Sequence, residues 1–252
     1  VTVPYDYSSK KTLPSASIVA VGEYKTIHRN LESPLTVKTS GTTVTVTGDE
    51  TWITKYLELN PNETEFVIAS AADLYGLASY TNSHGMSGKK IYLIADIDLN
   101  DGKGVATTSG FTRSDGTTPY PWEPIGNWQY FKFDGTFDGN MHTISGLYAN
   151  SASQCQALFE ATYGATIKNF RLENSYIQSS DQWVGSIVGR GFGGTFNNLY
   201  SNAVVKGGRA FVGGLFGQLE TSAATLNSCW FDGTIISTSS GNSAGFVGGL
   251  IG

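Results

Sequence analysis

The feature that most constrains this chain is a hexapeptide that occurs three times in its second half. The copies read VGSIVG at 184–189, VGGLFG at 212–217 and VGGLIG at 247–252. The segment QCQALFE at 154–160 falls into the same frame, with Cys155 at the valine position. An apolar motif that recurs at a nearly fixed spacing is typical of a protein built from stacked, similar units.

A second apolar column follows each hexapeptide. The segments that begin at residues 165, 194 and 224 align on Phe170, Leu199 and Cys229, which are 29 and 30 residues apart. The apolar segments are short, β-branched and aromatic, and Gly, Asn and Ser clusters separate them, which favours strands over helices. The pattern therefore predicts an all-β parallel β-helix, a β-solenoid of about 28–30 residues per repeat.

The hexapeptides make this prediction specific. Equivalent residues of successive turns lie about 4.8 Å apart in such a coil. We therefore expect Leu158, Ile187, Leu215 and Leu250 to form one inward stack. Glycine at the bracketing positions is expected to supply the positive φ values that corners require.

Segments upstream of the repeats carry a family resemblance. They read EFVIASAADLYGLASYTNSHGMSGKKIYLIADIDL at 65–99, WEPIGN at 122–127 and FDGTFDGNMHTISGLYA at 133–149. Together with the hexapeptides, they resemble the GLUG-motif proteins of bacterial surfaces, which are adhesin-like and include non-catalytic regions of some immunoglobulin A proteases. The resemblance implies a right-handed β-helix on a secreted or cell-surface bacterial protein, and it supplies no catalytic residues. Met141 departs from it, because the family commonly has Gly there.

The chain divides into two predicted regions. Residues 64–252 form the solenoid, in which Ser70 and Asp73 make a capping box for a short helix over 71–81 that caps its open end. We expect a strand over 91–99, a long loop over 101–132 and the first full turns over 133–148. Residues 1–63 are expected to form a small β module or a β-extension of the cap, and the alternation in LTVKTSGTTVTVT at 35–47 predicts a hairpin there.

Composition excludes several function classes. Charged residues make up 15% of the chain and the net charge is −5, which argues against a nucleic-acid partner. No apolar run approaches the roughly 18–20 residues of a membrane span, so membrane insertion is not expected. Cys155 and Cys229 are predicted to be buried free thiols, because two turns separate them by about 10 Å. A chain ending on VGGLIG is expected to be a fragment of a longer polypeptide.

Three motifs look like sites but lack the required context. GNSAG at 241–245 matches a nucleophile elbow, yet no histidine follows it. GRGFGG at 189–194 matches a dinucleotide fingerprint, but a strand frame follows where a helix is needed. DIDLNDG at 96–102 resembles a calcium loop but has Asp101 where an EF-hand needs Gly. We therefore predict no cofactor and no metal site.

The strongest functional signal is a group of aromatic residues. Tyr120, Trp122, Trp128 and Tyr130 lie in or beside one predicted loop, and such rings suit contact with a sugar or a partner protein. The alternative is that they pack over the ends of the core. We predict a non-enzymatic, secreted or cell-surface binding and adhesion scaffold whose partner is a host protein or a glycan.

Two other functions stay open at this point. Parallel β-helices include polysaccharide lyases and hydrolases, and Asp134 and Asp138 with Lys132 could form a catalytic groove. Turn formation beside glycine is the competing interpretation of these carboxylates. A purely structural spacer is the third alternative.

Overall fold

The computed structural model describes residues 36–41, 43–48, 53–54, 57, 62, 64–238 and 245–252. It is a nearly all-β parallel solenoid of about six turns, as predicted. In chain order the elements are β1 (Thr36–Ser40), β2 (Thr43–Thr47), β3 (Glu65–Ile68), α1 (Ala71–Thr81), β4 (Lys90–Leu93), β5 (Ile97–Asp98), β6 (Gly104–Thr107), β7 (Gly110–Arg113), β8 (Thr136–Asp138), β9 (Thr143–Ser145), β10 (Tyr148–Ser151), β11 (Phe159–Tyr163), β12 (Thr166–Glu173), β13 (Tyr176–Ser179), β14 (Val188–Ser201), β15 (Val204–Gly207), β16 (Val212–Gly213), β17 (Phe216–Asn227), β18 (Trp230–Phe231), β19 (Thr234–Ser237) and β20 (Val247–Gly248).

Two parallel sheets form the walls of the solenoid. The larger contains the succession β3, β4, β8, β12, β14 and β17, in which each strand pairs with the next. The smaller has the order β10, β13, β15, β19. Phe170 pairs with Leu199, as the second apolar column predicts.

The predicted inward stack is present. Leu158, Ile187 and Leu215 are fully buried, and the Ile187 N–H donates to the Leu215 carbonyl at 2.9 Å. The Leu215 N–H donates in turn to the Leu250 carbonyl at 3.0 Å. Leu250, on the last described turn, is 37% exposed. Apolar burial along this axis is the main stabilising contribution that each turn receives from its neighbours.

Glycine is needed at the bracketing positions for a reason other than the expected positive φ values. The residues at positive φ lie just before the apolar segments, at Cys155, Trp183 and Phe211. The bracketing glycines are instead required by close packing: a Cβ on Gly185 would lie 2.5 Å from the Val188 carbonyl oxygen and 2.6 Å from the backbone nitrogen of Gly217. The prediction of positive φ at the brackets was wrong, because the left-handed corner residue comes before each bracket and the bracketing glycine itself has no positive φ.

The frame of the first repeat is shifted by one residue. The Gly213 N–H donates to the Val184 carbonyl at 3.0 Å, and the Gly185 N–H donates to the Gln156 carbonyl at 3.1 Å. Gln156 therefore occupies the valine position that was assigned to Cys155. Cys155 takes the preceding left-handed corner, where its thiol is buried.

Both cysteines are free, as predicted, but only one is fully buried. Cys229 is half-buried, and its thiol lies 3.5 Å from the Phe196 carbonyl. Burial raises the pKa of the Cys229 thiol.

The predicted helix forms, and its role as a cap on the end of the solenoid stays a prediction. Helix α1 has the bounds 71–81, the Asp73 N–H donates to Ser70 Oγ at 3.2 Å, and the Ser70 N–H donates to Asp73 Oδ2 at 3.0 Å. Leu74 and Leu77 are fully buried in the solenoid core. With 11 residues, α1 is far too short to cross a membrane, and no other helix in the described ranges has the needed length and apolar character.

Three boundaries differ from expectation. The predicted strand over 91–99 is two strands, β4 and β5, separated by a corner, and both pair in the larger sheet, so turns begin before residue 133. The predicted loop over 101–132 contains the antiparallel hairpin β6–β7. Its last part joins the ladder, since Ile125 bridges to Phe159.

The remaining predictions fall on the chain as follows. β1 and β2 pair antiparallel around Gly41, which confirms the hairpin. GRGFGG lies inside β14, where the strand frame continues as expected. Residues 241–244 of GNSAG, and residues 1–35 of the N-terminal region, lie outside the described residues. The division at residue 63 stays a prediction.

Candidate ligand-binding groove

The four predicted aromatic residues do not form one surface. Trp122 is 4% exposed, and its Nε1 donates to the Leu158 carbonyl at 3.2 Å. Tyr120 is half-buried, with the Arg113 guanidinium 4.2 Å from its ring centre. Tyr130 is 77% exposed. The alternative, packing over the core, therefore describes Trp122.

Trp128 and Trp122 instead line a groove of about 730 Å³. The groove lies between the segment 121–129 and the corners that follow β10 and β13. Residues from five parts of the chain line it: Asn82, Pro121, Trp122, Glu123, Pro124, Asn127, Trp128, Gln129, Asn150, Ser151, Ser153, Gln154, Gln156, Glu160 and Asp181. Its volume is within the range of roughly 300–1,000 Å³ that is common for small-molecule sites.

The near wall of the groove is the segment 121–129, and backbone hydrogen bonds hold it to the solenoid. The Trp122 N–H donates to the Tyr148 carbonyl at 2.7 Å, and the Ile125 N–H donates to the Leu158 carbonyl at 2.9 Å. Asn127 Oδ1 then accepts from the backbone N–H groups of Gln129 and Tyr130 at 2.9 and 3.2 Å. This side-chain turn fixes the loop that carries Trp128.

The far wall of the groove consists of the corners that follow β10 and β13. These corners occupy equivalent positions on neighbouring turns. Gln182 Nε2 donates to Gln154 Oε1 at 3.5 Å, so amides 28 residues apart in sequence lie one above the other. Ser179 Oγ accepts from the Asp181 N–H at 2.9 Å and donates to the Ser153 carbonyl at 2.6 Å. These bonds join the two corners into one continuous polar surface.

Glu160 is the most perturbed acid in the groove. It lies on β11, is half-buried, and accepts from the Trp128 N–H at 3.3 Å. Desolvation raises its pKa to about 7, and the Trp128 hydrogen bond only partly opposes this. A carboxyl that is partly protonated near neutral pH can both donate and accept a hydrogen bond.

An arginine–aromatic cluster borders the groove beside Trp128. The Trp128 and Trp183 rings are 6.1 Å apart, and the Arg190 guanidinium lies 4.2 Å from the Trp183 ring and 5.9 Å from the Trp128 ring. Arg190 Nε donates to Glu220 at 2.8 Å. The cluster therefore places a guanidinium that is already paired with Glu220 beside the Trp128 ring.

The carboxylates of the predicted catalytic alternative have structural partners. Asp134 Oδ1 accepts from the Met86 N–H at 2.6 Å. Asp138 is 7% exposed, forms an ion pair with Lys168 at 3.1 Å, and accepts from the Asn140 N–H. Lys132 lies over the Phe192 ring at 5.3 Å. The structure brings Asp138 into a turn, as the competing interpretation expects.

The calcium-like segment is also engaged in turns. Asp98 Oδ1 accepts from the N–H groups of Asn100 and Gly102, both at 2.8 Å. Ile97 and Leu99 are buried while Asp96 is exposed, which confirms the predicted strand alternation. Within the described ranges, no three His, Cys, Asp or Glu side chains are close enough together to hold a metal ion.

The far wall of the groove was not predicted from the sequence. Gln154 and Glu160 lie in a segment that was interpreted only as repeat frame, and Asp181 lies in no predicted site. A signal was present, because similar polar residues precede the first two apolar segments at one corner, as SASQ at 151–154 and SSDQ at 179–182. Polar residues that repeat at the solenoid period predict a polar stripe along one edge.

Comparisons with known proteins give limited matches. No protein-family model matches the chain. Over 159 residues, or 62% of its length, the chain is 30% identical to halomucin from Haloquadratum walsbyi, of which it covers 2%. A crystal structure of a candidate immunoglobulin A1 protease from Bacteroides ovatus is 19% identical, with a TM-score of 0.49 over 75% of this chain and 61% of that one. The chain thus spans only a small part of the curated relative that it matches.

Proposed function

We propose that this chain is a non-catalytic binding scaffold of a secreted or cell-surface protein, in which a stacked β-solenoid presents the groove between residues 121–129 and the corners after β10 and β13. The GLUG resemblance and the similarity to halomucin, a protein named as a mucin, support the surface setting. The observation that carries the binding role is the groove itself, a largely polar cavity of about 730 Å³ whose lining includes Trp122 and Trp128.

The test is binding without turnover. The full 252-residue chain is incubated with a panel of polysaccharides and matrix proteins, and both retention and newly formed reducing ends are measured. We expect at least one polysaccharide to be retained and no reducing ends to appear. Retention of none of the panel would contradict the binding role and favour the structural spacer.

A carbohydrate-active enzyme is the second candidate, and Glu160 is the observation that favours it. A carboxyl with a raised pKa that shares a cleft with other carboxylates is the usual arrangement of a general acid and its partner. If this candidate is correct, the reducing-end assay gives turnover that Glu160→Gln abolishes, while Asp134→Asn leaves it unchanged.

A further inference from the structure

The lining of the groove is dominated by groups that both donate and accept hydrogen bonds. Six carry side-chain amides and two carry hydroxyls: Asn82, Asn127, Gln129, Asn150, Gln154, Gln156, Ser151 and Ser153. An amide offers two N–H donors and a carbonyl acceptor. A sugar hydroxyl also donates and accepts, so two adjacent hydroxyls can pair with one amide. Asn127 Oδ1 and Gln154 Oε1 already accept from protein N–H groups. A phosphate or carboxylate ligand would leave the carbonyls of the other lining amides without donors.

The charges of the lining disfavour anionic ligands. Among the residues that the structure describes, the charged side chains that line the groove are Glu123, Glu160 and Asp181, and all three are acidic. The nearby guanidinium groups are already paired: Arg209 Nη1 lies 3.0 Å from Asp181 Oδ1, and Arg190 is held by Glu220. A uronic acid or a sulfated sugar would meet like charge with no compensating cation.

The groove also offers an apolar platform. Trp122 and Trp128 line it, together with Pro121 and Pro124. The C–H faces of a pyranose ring pack well on flat aromatic and proline rings. Trp128 is suited to this role because it is half-buried and its position is fixed by Glu160, Trp183 and Arg190.

From these three observations we infer that the groove binds a segment of a neutral polysaccharide, with Trp128 as the stacking platform and the amides as hydroxyl partners. The inference rests on the proposed binding function and names its ligand class. The partial protonation of Glu160 near neutral pH supports it, because a neutral carboxyl pairs with a hydroxyl without repelling other acids. Because Asp181 is paired with Arg209, the groove also has less negative charge with which to attract a cationic polysaccharide.

Affinity electrophoresis and titration calorimetry on the full chain test this inference. The probes are neutral (a β-glucan, a galactomannan and a dextran), acidic (polygalacturonate and alginate) and cationic (chitosan). Trp128→Ala is the groove variant, and Tyr130→Ala is its control, because Tyr130 is in the same segment but does not line the groove. Glu123→Lys, at an exposed lining position, is a second variant that leaves the packing of Trp128 unchanged.

We expect at least one neutral polymer to bind, Trp128→Ala to weaken binding by about tenfold or more, and Tyr130→Ala to change it by less than about twofold. Glu123→Lys should make an acidic polymer bind where the parent chain does not. Preferential binding of an acidic polymer or of chitosan to the parent chain would overturn the inference and leave the binding function intact. Binding of no polymer, together with retention of a matrix protein, would also overturn it. Only the absence of all binding contradicts both proposals.

Discussion

At the scale of single residues, Met141 has a backbone conformation that its side chain disfavours. Its φ is +70°, in the left-handed region, and its N–H donates to the Asn169 carbonyl at 2.7 Å. The GLUG resemblance leads one to expect Gly at this position. The turn is therefore formed by tertiary hydrogen bonding against local preference, at a cost of roughly 1–2 kcal/mol for a non-glycine residue.

We predict that Met141→Gly stabilises the chain by about 0.5–1 kcal/mol, because relief of strain exceeds the added entropy of the unfolded chain. The measurement is the urea midpoint at constant m-value. The matched control is Gly164→Ala, at φ +59° with no atom within 4 Å of the added Cβ. That change should destabilise by a similar amount. A fall in stability on Met141→Gly would mean that side-chain packing outweighs the strain.

The raised pKa of Glu160 predicts that the free energy of unfolding depends on pH. Its folded pKa of about 7 lies above the ordinary value of 4.5, so the folded state binds more protons than the unfolded state between these values. This contribution to the free energy of unfolding is complete below about pH 4.5 and is lost as the pH rises through 7. At about 1.4 kcal/mol per pKa unit, and with partial solvent exposure, we expect a loss of about 1–3 kcal/mol.

The experiment compares unfolding of the parent chain and of Glu160→Gln at pH 5 and pH 8. Glu160→Gln should remove this part of the pH dependence, because glutamine does not titrate. Glu123→Gln, which removes an exposed carboxylate of the same groove, should keep the parental slope. Equal slopes in all three proteins would show that desolvation of Glu160 is small.

At the scale of elements, the hexapeptide couples close backbone packing to an apolar stack. Gly185 precedes β14, which begins at Val188, and a Cβ added to Gly185 would lie 2.7 Å from the Leu215 carbonyl oxygen of the next turn. Gly249, in the last copy, has no atom within 4 Å of its added Cβ. The same motif therefore tolerates substitution in one turn and not in another.

Gly185→Ala is expected to lower the free energy of unfolding by about 2–4 kcal/mol, because backbone atoms of the next turn cannot move away as a side chain can. Gly249→Ala should stay within about 0.5 kcal/mol of the parent chain. Chemical denaturation of both variants gives the comparison. A mild effect at Gly185 would show that neighbouring turns can separate locally.

Much of the architecture at this scale could be predicted, and the exceptions have physical causes. The repeat period placed Ile187 over Leu215, and the Ser70–Asp73 box placed the start of α1. The one-residue shift at Cys155 could not be seen in the sequence, because β-solenoid turns absorb single insertions at corners without changing the inward side chains. The predicted strand over 91–99 was too long because the alternation of apolar and polar residues continues across the corner between β4 and β5.

At the scale of the whole molecule, the candidate groove exists only because the turns stack. Glu160 and Asp181 are 21 residues apart in sequence and neither adjoins Trp128, yet all three line one cavity. The aromatic residues of the 120–130 segment carried a detectable signal, of which the structure places Trp122 and Trp128 in the groove. The polar wall carried only the weaker signal of a repeating corner, and its assembly depends on the stacking of the turns.

The charge of the whole molecule gives a last prediction. The chain has few charged residues, and among the residues that the structure describes no Lys or Arg lines the groove. Binding in the groove should therefore involve little release of counterions. The affinity for a neutral polysaccharide should therefore change by less than about twofold as NaCl is raised from about 0.05 to 0.5 M, a range over which the screening length falls several-fold. Calorimetric titrations at several salt concentrations measure this. An affinity that falls steeply with salt would point to an ionic ligand held by charges outside the groove, and Trp128→Ala would then leave it unchanged.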